Sequence, residues 1–169
     1  RQQNYQFNAH GMELDQRYSS AAIIDDGVPE PTDDRDRVLY HHPTTHPGAR
    51  LPHAWLENER RRVSTLDITG HGRMTLLVGP DGEAWRDAAR TVSAESGLPI
   101  DVRAVGVRCE YDDVLGDWGA VREIGDDGAL LVRPDHHIAW RAHIAAGDPV
   151  AALRGAVDRA VCRRADVNA

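Results

Sequence analysis

Gly128-Ala129-Leu130-Leu131-Val132-Arg133-Pro134-Asp135-His136-His137-Ile138-Ala139-Trp140-Arg141-Ala142 is the stretch on which the fold turns. Residues 129–132 are an unbroken apolar run, the mark of a strand covered on both faces. Pro134 presets φ for the first corner of a turn, and Asp135 suits the second. The apolar pattern resumes at residues 138–140, so the stretch reads as a β-hairpin. Arg133 and Arg141 flank the two strands, where a guanidinium can pair with carboxylates or stack on Trp140. Nothing in the hairpin is a catalytic constellation.

Working upstream, residues 63–68 have strand character, and Thr69-Gly70-His71-Gly72 reads as a turn. Residues 74–78 form a second, fully apolar strand, broken by Gly79-Pro80-Asp81-Gly82. Between residues 83 and 95, Ala84, Trp85, Ala88, Ala89 and Val92 recur at helical spacing behind an acidic first turn. Gly97 and Pro99 end that helix, and residues 100–107 give the next strand. A strand, a helix and a strand in immediate succession make a βαβ unit, so those two strands should be parallel. Residues 108–127 are acidic and irregular, with Trp118 as the expected anchor. Downstream of the hairpin, Gly147-Asp148-Pro149 supplies an N-cap and a proline at the first helical position. Val150, Leu153, Val157 and Val161 line one face of a last helix ending near Arg164. A βαβ unit, a hairpin and a closing helix make the thioredoxin-like arrangement. The fold class is therefore α/β: a thioredoxin-like central mixed sheet flanked by helices, with an extended Pro-rich N-terminal segment.

Residues 1–17 are polar and hold a short element at most, and residues 18–24 read as a strand stopped by Asp25-Asp26-Gly27. Five of the nine prolines fall within residues 28–52, which forbids regular helix or central strand there. The second half of that segment mixes proline with His, Arg and Trp, so it is expected to dock rather than swing freely. The resulting division is 1–24, the end of an upstream region; 25–61, a linker and docking segment; 62–165, the compact domain; and 166–169, a fraying tail. The chain opens on polar sequence without a methionine, as a fragment of something longer would.

The 41% hydrophobic content supports a core, while a net charge of −7 argues against nucleic acid and against a polybasic membrane anchor. No apolar run is long enough to span a bilayer, and the expected location is cytoplasmic. A dithiol enzyme of this fold needs CxxC in the turn after the 74–78 strand, but Gly79-Pro80-Asp81-Gly82-Glu83-Ala84-Trp85 has no cysteine. Proline is also missing from Asp126-Asp127-Gly128, where such enzymes place one before the hairpin. Cys109 and Cys162 are too far apart in sequence to form a motif. His41, His42, His46 and His53 cluster near prolines that prevent a helical ligand pair, so no metal site is expected. Asp112-Asp113 and Asp126-Asp127 read as solvated loop residues. No GxGxxG, GxxxxGK[ST] or GxSxG occurs. The sequence thus offers no catalytic, cofactor-binding or metal-ligating residue.

Several phrases carry a resemblance. They are Pro43-Thr44-Thr45-His46-Pro47-Gly48-Ala49-Arg50-Leu51-Pro52-His53-Ala54-Trp55-Leu56, Ser64-Thr65-Leu66-Asp67, Thr75-Leu76-Leu77-Val78-Gly79 and the opening hairpin, in that order. Together they resemble the C-terminal part of FAD-dependent aromatic hydroxylases of the phenol 2-monooxygenase and chlorophenol monooxygenase type. Residues 11–21 resemble the point where that family's flavin and substrate region ends. The resemblance implies a parent enzyme that uses FAD and NAD(P)H to hydroxylate a phenolic ring. It implies for this chain a redox-inactive accessory domain that binds no cofactor itself. Its partners would be the upstream FAD-binding domain of the same polypeptide and a second copy in a homodimer. Arg50, His53, Trp55, Arg133, Trp140 and Arg141 are the candidates for docking or structural anchoring, with ordinary core and loop packing as the alternative role of each. A stand-alone thioredoxin-like interaction module, assembling with a separate flavoprotein, is the other functional reading.

Overall fold

Two apolar layers, one on each side of a four-stranded sheet, account for the pattern of buried residues. The computed structural model describes residues 7–32 and 34–163. In chain order its elements are α1 (His10–Leu14), β1 (Trp55–Asn58), β2 (Arg61–Ser64), β3 (Met74–Val78), α2 (Glu83–Ser96), β4 (Ile100–Ala104), α3 (Asp117–Val121), β5 (Ala129–Val132), β6 (Ile138–Ala142) and α4 (Pro149–Ala160). The main sheet runs β4-β3-β5-β6. Its β3–β4 pair is parallel, as the βαβ unit requires, and β5 and β6 join antiparallel.

Side chains alternate across a strand, so each apolar run feeds both layers. Met74, Leu76, Val78, Ala129 and Leu131 face one layer, where α2 contributes Trp85, Ala88, Ala89 and Val92, and α4 contributes Leu153, Ala156 and Val157. Leu77, Leu130, Val132 and Ile138 face the other, closed by Leu51, Ala54, Leu56 and Trp118. Proline density in residues 43–52 therefore rules out regular structure but not burial.

The caps follow sequence chemistry. Gly97 ends α2 at φ 69° and its N–H returns to the Ser93 carbonyl. The Asp148 carboxylate accepts from the Ala151 N–H at the start of α4. In the hairpin turn, the His136 N–H bonds the Arg133 carbonyl, placing Pro134 and Asp135 at the two corners.

Three local expectations are corrected. Residues 18–24 form no strand: the Ile23 N–H closes a turn on the Ser20 carbonyl, and only Ile24 reaches the sheet, at the Ala139 carbonyl. The 63–68 strand stops at Ser64, because the Asp67 carboxylate accepts from the Ser64 N–H and the Asp67 N–H returns to the Ser64 carbonyl. That strand belongs to a separate two-stranded hairpin with β1. The strand beginning at Ile100 ends at Ala104, and a short helix, α3, lies in the segment read as irregular.

Leu131 lies fully buried between β5's neighbours and the helical layer. Leu131→Ala is expected to lower unfolding free energy by about 2–5 kcal/mol in urea denaturation, through lost burial and the cavity left behind.

Candidate functional site

β6 is an edge strand, and an edge leaves main-chain groups unpaired. Residues 48–51 run along it: the Gly48 N–H donates to Ile138, the Ile138 N–H to Ala49 and the Leu51 N–H to His136. One polar side chain of this edge is deeply buried. Arg141 stands opposite Leu130 in the register, so it points to the second layer, and it is 3% exposed. A buried guanidinium needs compensating charge and hydrogen bonds. Arg141 Nε donates to Asp26 Oδ2 at 2.5 Å and Nη1 to Glu123 Oε2 at 2.5 Å.

Each carboxylate is itself held. Asp26 Oδ2 also meets His143 Nε2 at 3.0 Å, while His143 Nδ1 faces the Glu123 carbonyl at 2.9 Å. Thr44 Oγ1 donates to Glu123 Oε2 at 2.9 Å, and Thr45 Oγ1 to the Arg122 carbonyl at 2.6 Å. Burial pushes the Asp26 carboxyl up, but Arg141, the Val28 N–H and His143 outweigh it and hold the group below its ordinary 3.8. The result is a clasp tying residues 26 and 44–45 to β6 and to the loop before β5.

Among the described residues, Asp25, Asp26 and His46 are the one group whose ligand atoms converge enough to hold a metal ion. Their atoms are already engaged. Asp26 serves Arg141 and His143, Asp25 accepts from the Gly27 N–H, and His46 faces the Pro47 and Val28 carbonyls with its two nitrogens.

The other candidates lie apart. Trp140 meets Trp85 edge-on at 5.4 Å in the helical layer. Arg133 pairs with Asp135 across the hairpin turn at 2.9 Å. Trp55 is 39% exposed, with the Arg62 guanidinium 5.3 Å from its ring centre. His53 lies edge-on to Trp55 and bonds Ser64 Oγ at 2.8 Å. Arg50 is exposed beside the hairpin turn.

The turn after β3 has a closed geometry of its own. The Gly79 N–H donates to the Gly128 carbonyl at 3.3 Å and the Asp81 N–H to the Asp126 carbonyl at 2.9 Å. A Cβ on Gly79 would lie 2.2 Å from the Asp126 oxygen, so only glycine allows this approach. Trp85 Nε1 donates to the Asp127 carbonyl at 2.8 Å and seals the junction from α2.

Residues 44–163 match the family model described as aromatic-ring hydroxylase, C-terminal. The chain belongs to this C-terminal family of the aromatic-ring hydroxylases. A 2,4-dichlorophenol 6-monooxygenase of Delftia acidovorans is 50% identical over 138 residues, covering 82% of this chain and 24% of that protein. A phenol 2-monooxygenase of Pseudomonas sp. (strain EST1001) is 43% identical, covering 89% of this chain and 25% of that protein. The crystal structure of the flavin-dependent monooxygenase PieE, in complex with FAD and substrate, superposes with a TM-score of 0.86 at 50% identity. It covers 93% of this chain and 27% of that one. This ring-hydroxylase C-terminal chain thus spans about a quarter of the length of the relatives it matches.

Within this family member, sequence reasoning missed Asp26, Glu123, Thr45 and His143. Asp26 was read as part of a turn and Glu123 as part of an acidic loop. The available signal was Arg141 itself, a cation directly after the apolar triplet Ile138-Ala139-Trp140. That position demands a carboxylate, but Asp26 is 115 positions away and nothing in the sequence selects it from 27 acids.

Arg141→Leu leaves Asp26 and Glu123 facing each other without their cation, and should cost about 3–5 kcal/mol of stability. Asp26→Asn should destabilise at neutral pH. Because the native Asp26 carboxyl lies below 3.8, its contribution is fully present above that pH and fades as pH falls through the lower native value. Denaturant titrations of wild type and Asp26→Asn should therefore converge only below about pH 3.8.

Proposed function

We propose that this chain is the C-terminal accessory portion of an FAD-dependent monooxygenase that hydroxylates a phenolic ring with electrons from NAD(P)H. The observation that carries the reading is its 50% identity to a dichlorophenol monooxygenase, over a quarter of that protein's length. The flavin chemistry then belongs to the larger upstream part, and this portion packs against it. Arg141 and Trp140 anchor the accessory portion internally. Trp55, together with the exposed Val114 and Leu115 that line the same shallow cleft, offers the outward apolar contact.

Its thioredoxin-like layout serves as scaffold rather than as a thiol catalyst. The place where a dithiol would react is filled by main-chain contacts from residues 126–128, and no cysteine stands in that turn. Cys109 is the nearest thiol, approached by the backbone at Gly106, and burial pushes its ionisation up from the ordinary 9.0. A thiol so shifted is a poor nucleophile at neutral pH.

The purified 169-residue chain should be colourless, leave added FAD fluorescence unquenched, and fail to reduce insulin with dithiothreitol beyond the uncatalysed rate. A stoichiometric flavin spectrum would overturn the accessory role. Insulin reduction lost in Cys109→Ser would overturn the redox-inactive one.

A further inference from the structure

A groove of about 300 Å³ lies between α1, the residues that border β6 and the turn after β2. Leu14, Leu51 and Leu66 give it apolar walls, and Arg50, His41 and His53 complete the lining. Leu51 is 2% exposed and belongs to the second core layer, so the groove floor is fixed by the fold.

The polar lining is cationic and only partly compensated. Arg50 has no hydrogen bond or ion pair from its side chain among the described residues, although the chain carries a net charge of −7. His41 is held through Nδ1 by Asp15 Oδ1 at 2.5 Å, and His53 through Nδ1 by Ser64 Oγ at 2.8 Å. In each ring the second nitrogen, Nε2, has no partner among the described residues. The Arg50 charge is also felt nearby: burial, then Arg50 and His71, hold the His136 imidazole below its ordinary 6.5.

Three leucines demand an apolar body, and a guanidinium fork matches a planar anionic group. Flanking imidazoles favour a flat ring over a flexible chain. The volume sits at the small end of ligand sites and suits a single ring. We propose that this groove binds a small monocyclic aromatic anion, an aryl carboxylate or a phenolate. The ring lies against Leu14, Leu51 and Leu66 with its anionic oxygen on Arg50. The assignment stands independently of the accessory role.

The test is amide-resolved NMR titration of the isotopically labelled 169-residue chain with benzoate, with 4-nitrophenolate, and with benzyl alcohol as the uncharged ring. Saturable shifts at Leu14, Leu51 and Leu66 are expected with at least one anion, and added salt should weaken them. Arg50→Gln should weaken anion binding about tenfold, the loss of one charge-assisted contact. Its exposed side chain leaves the rest of the spectrum intact. Benzyl alcohol should bind more weakly and respond little to Arg50→Gln. Tighter benzoate assigns the site to carboxylates, and tighter nitrophenolate to phenolates. Absence of saturable shifts with both anions, or shifts that Arg50→Gln leaves unchanged, overturns the proposal.

Discussion

The burial of Arg141 is the constraint from which much of this structure follows. A guanidinium on an edge strand, removed from water, is stable only if carboxylates and hydrogen-bond acceptors surround it. Here they arrive from two distant places, Asp26 and Glu123, with Thr45 Oγ1 as a further acceptor and His143 holding Asp26 in place. Satisfying the charge brings residues 44–51 to the β6 edge, where their main chain occupies groups that would otherwise invite another strand. The same placement delivers Leu51 and, further along, Ala54 and Leu56 to the second apolar layer. The Arg141 cluster thus stands beside both the protected edge and the closed core layer.

The sheet lies between two covered layers. Its first face is covered by α2 and α4, which pack on each other, and its second by irregular segments, the β1–β2 hairpin and Trp118. The turn after β3 is closed by Gly79 against Asp126. Both faces of the sheet are thus covered from within the chain. The chain belongs to a family whose matched relatives are about three and a half times as long as this chain.

Most of the sheet was legible because its signals are local. The apolar runs at β3 and β5, the helical spacing of Trp85, Ala88, Ala89 and Val92, and the Asp148-Pro149 start of α4 each fit within one element. The misreadings arose where local polar groups competed with strand pairing. Asp67 folds back on Ser64 and shortens β2, and the residues after Tyr18 turn on Ser20 because residues 48–51 already hold the β6 edge. The six anchoring candidates scattered accordingly: Arg141 is buried and Trp140 half-buried against the helical layer, His53 touches Trp55 and shares a groove with Arg50, and Arg133 pairs across the hairpin turn.

The sequence by itself determined the β3-α2-β4 unit, the β5–β6 hairpin and the closing helix α4, the parallel β3–β4 pair and the absence of a dithiol motif. Each of these rests on periodicity, turn chemistry or residue identity over a few positions. Only the tertiary structure decided which acids compensate Arg141, that the Pro-rich segment closes the second layer, and that Arg50 is left with apolar walls beside it. Those facts depend on contacts between residues up to 115 positions apart, and a charge selects its partner by position in space, which the linear pattern does not encode.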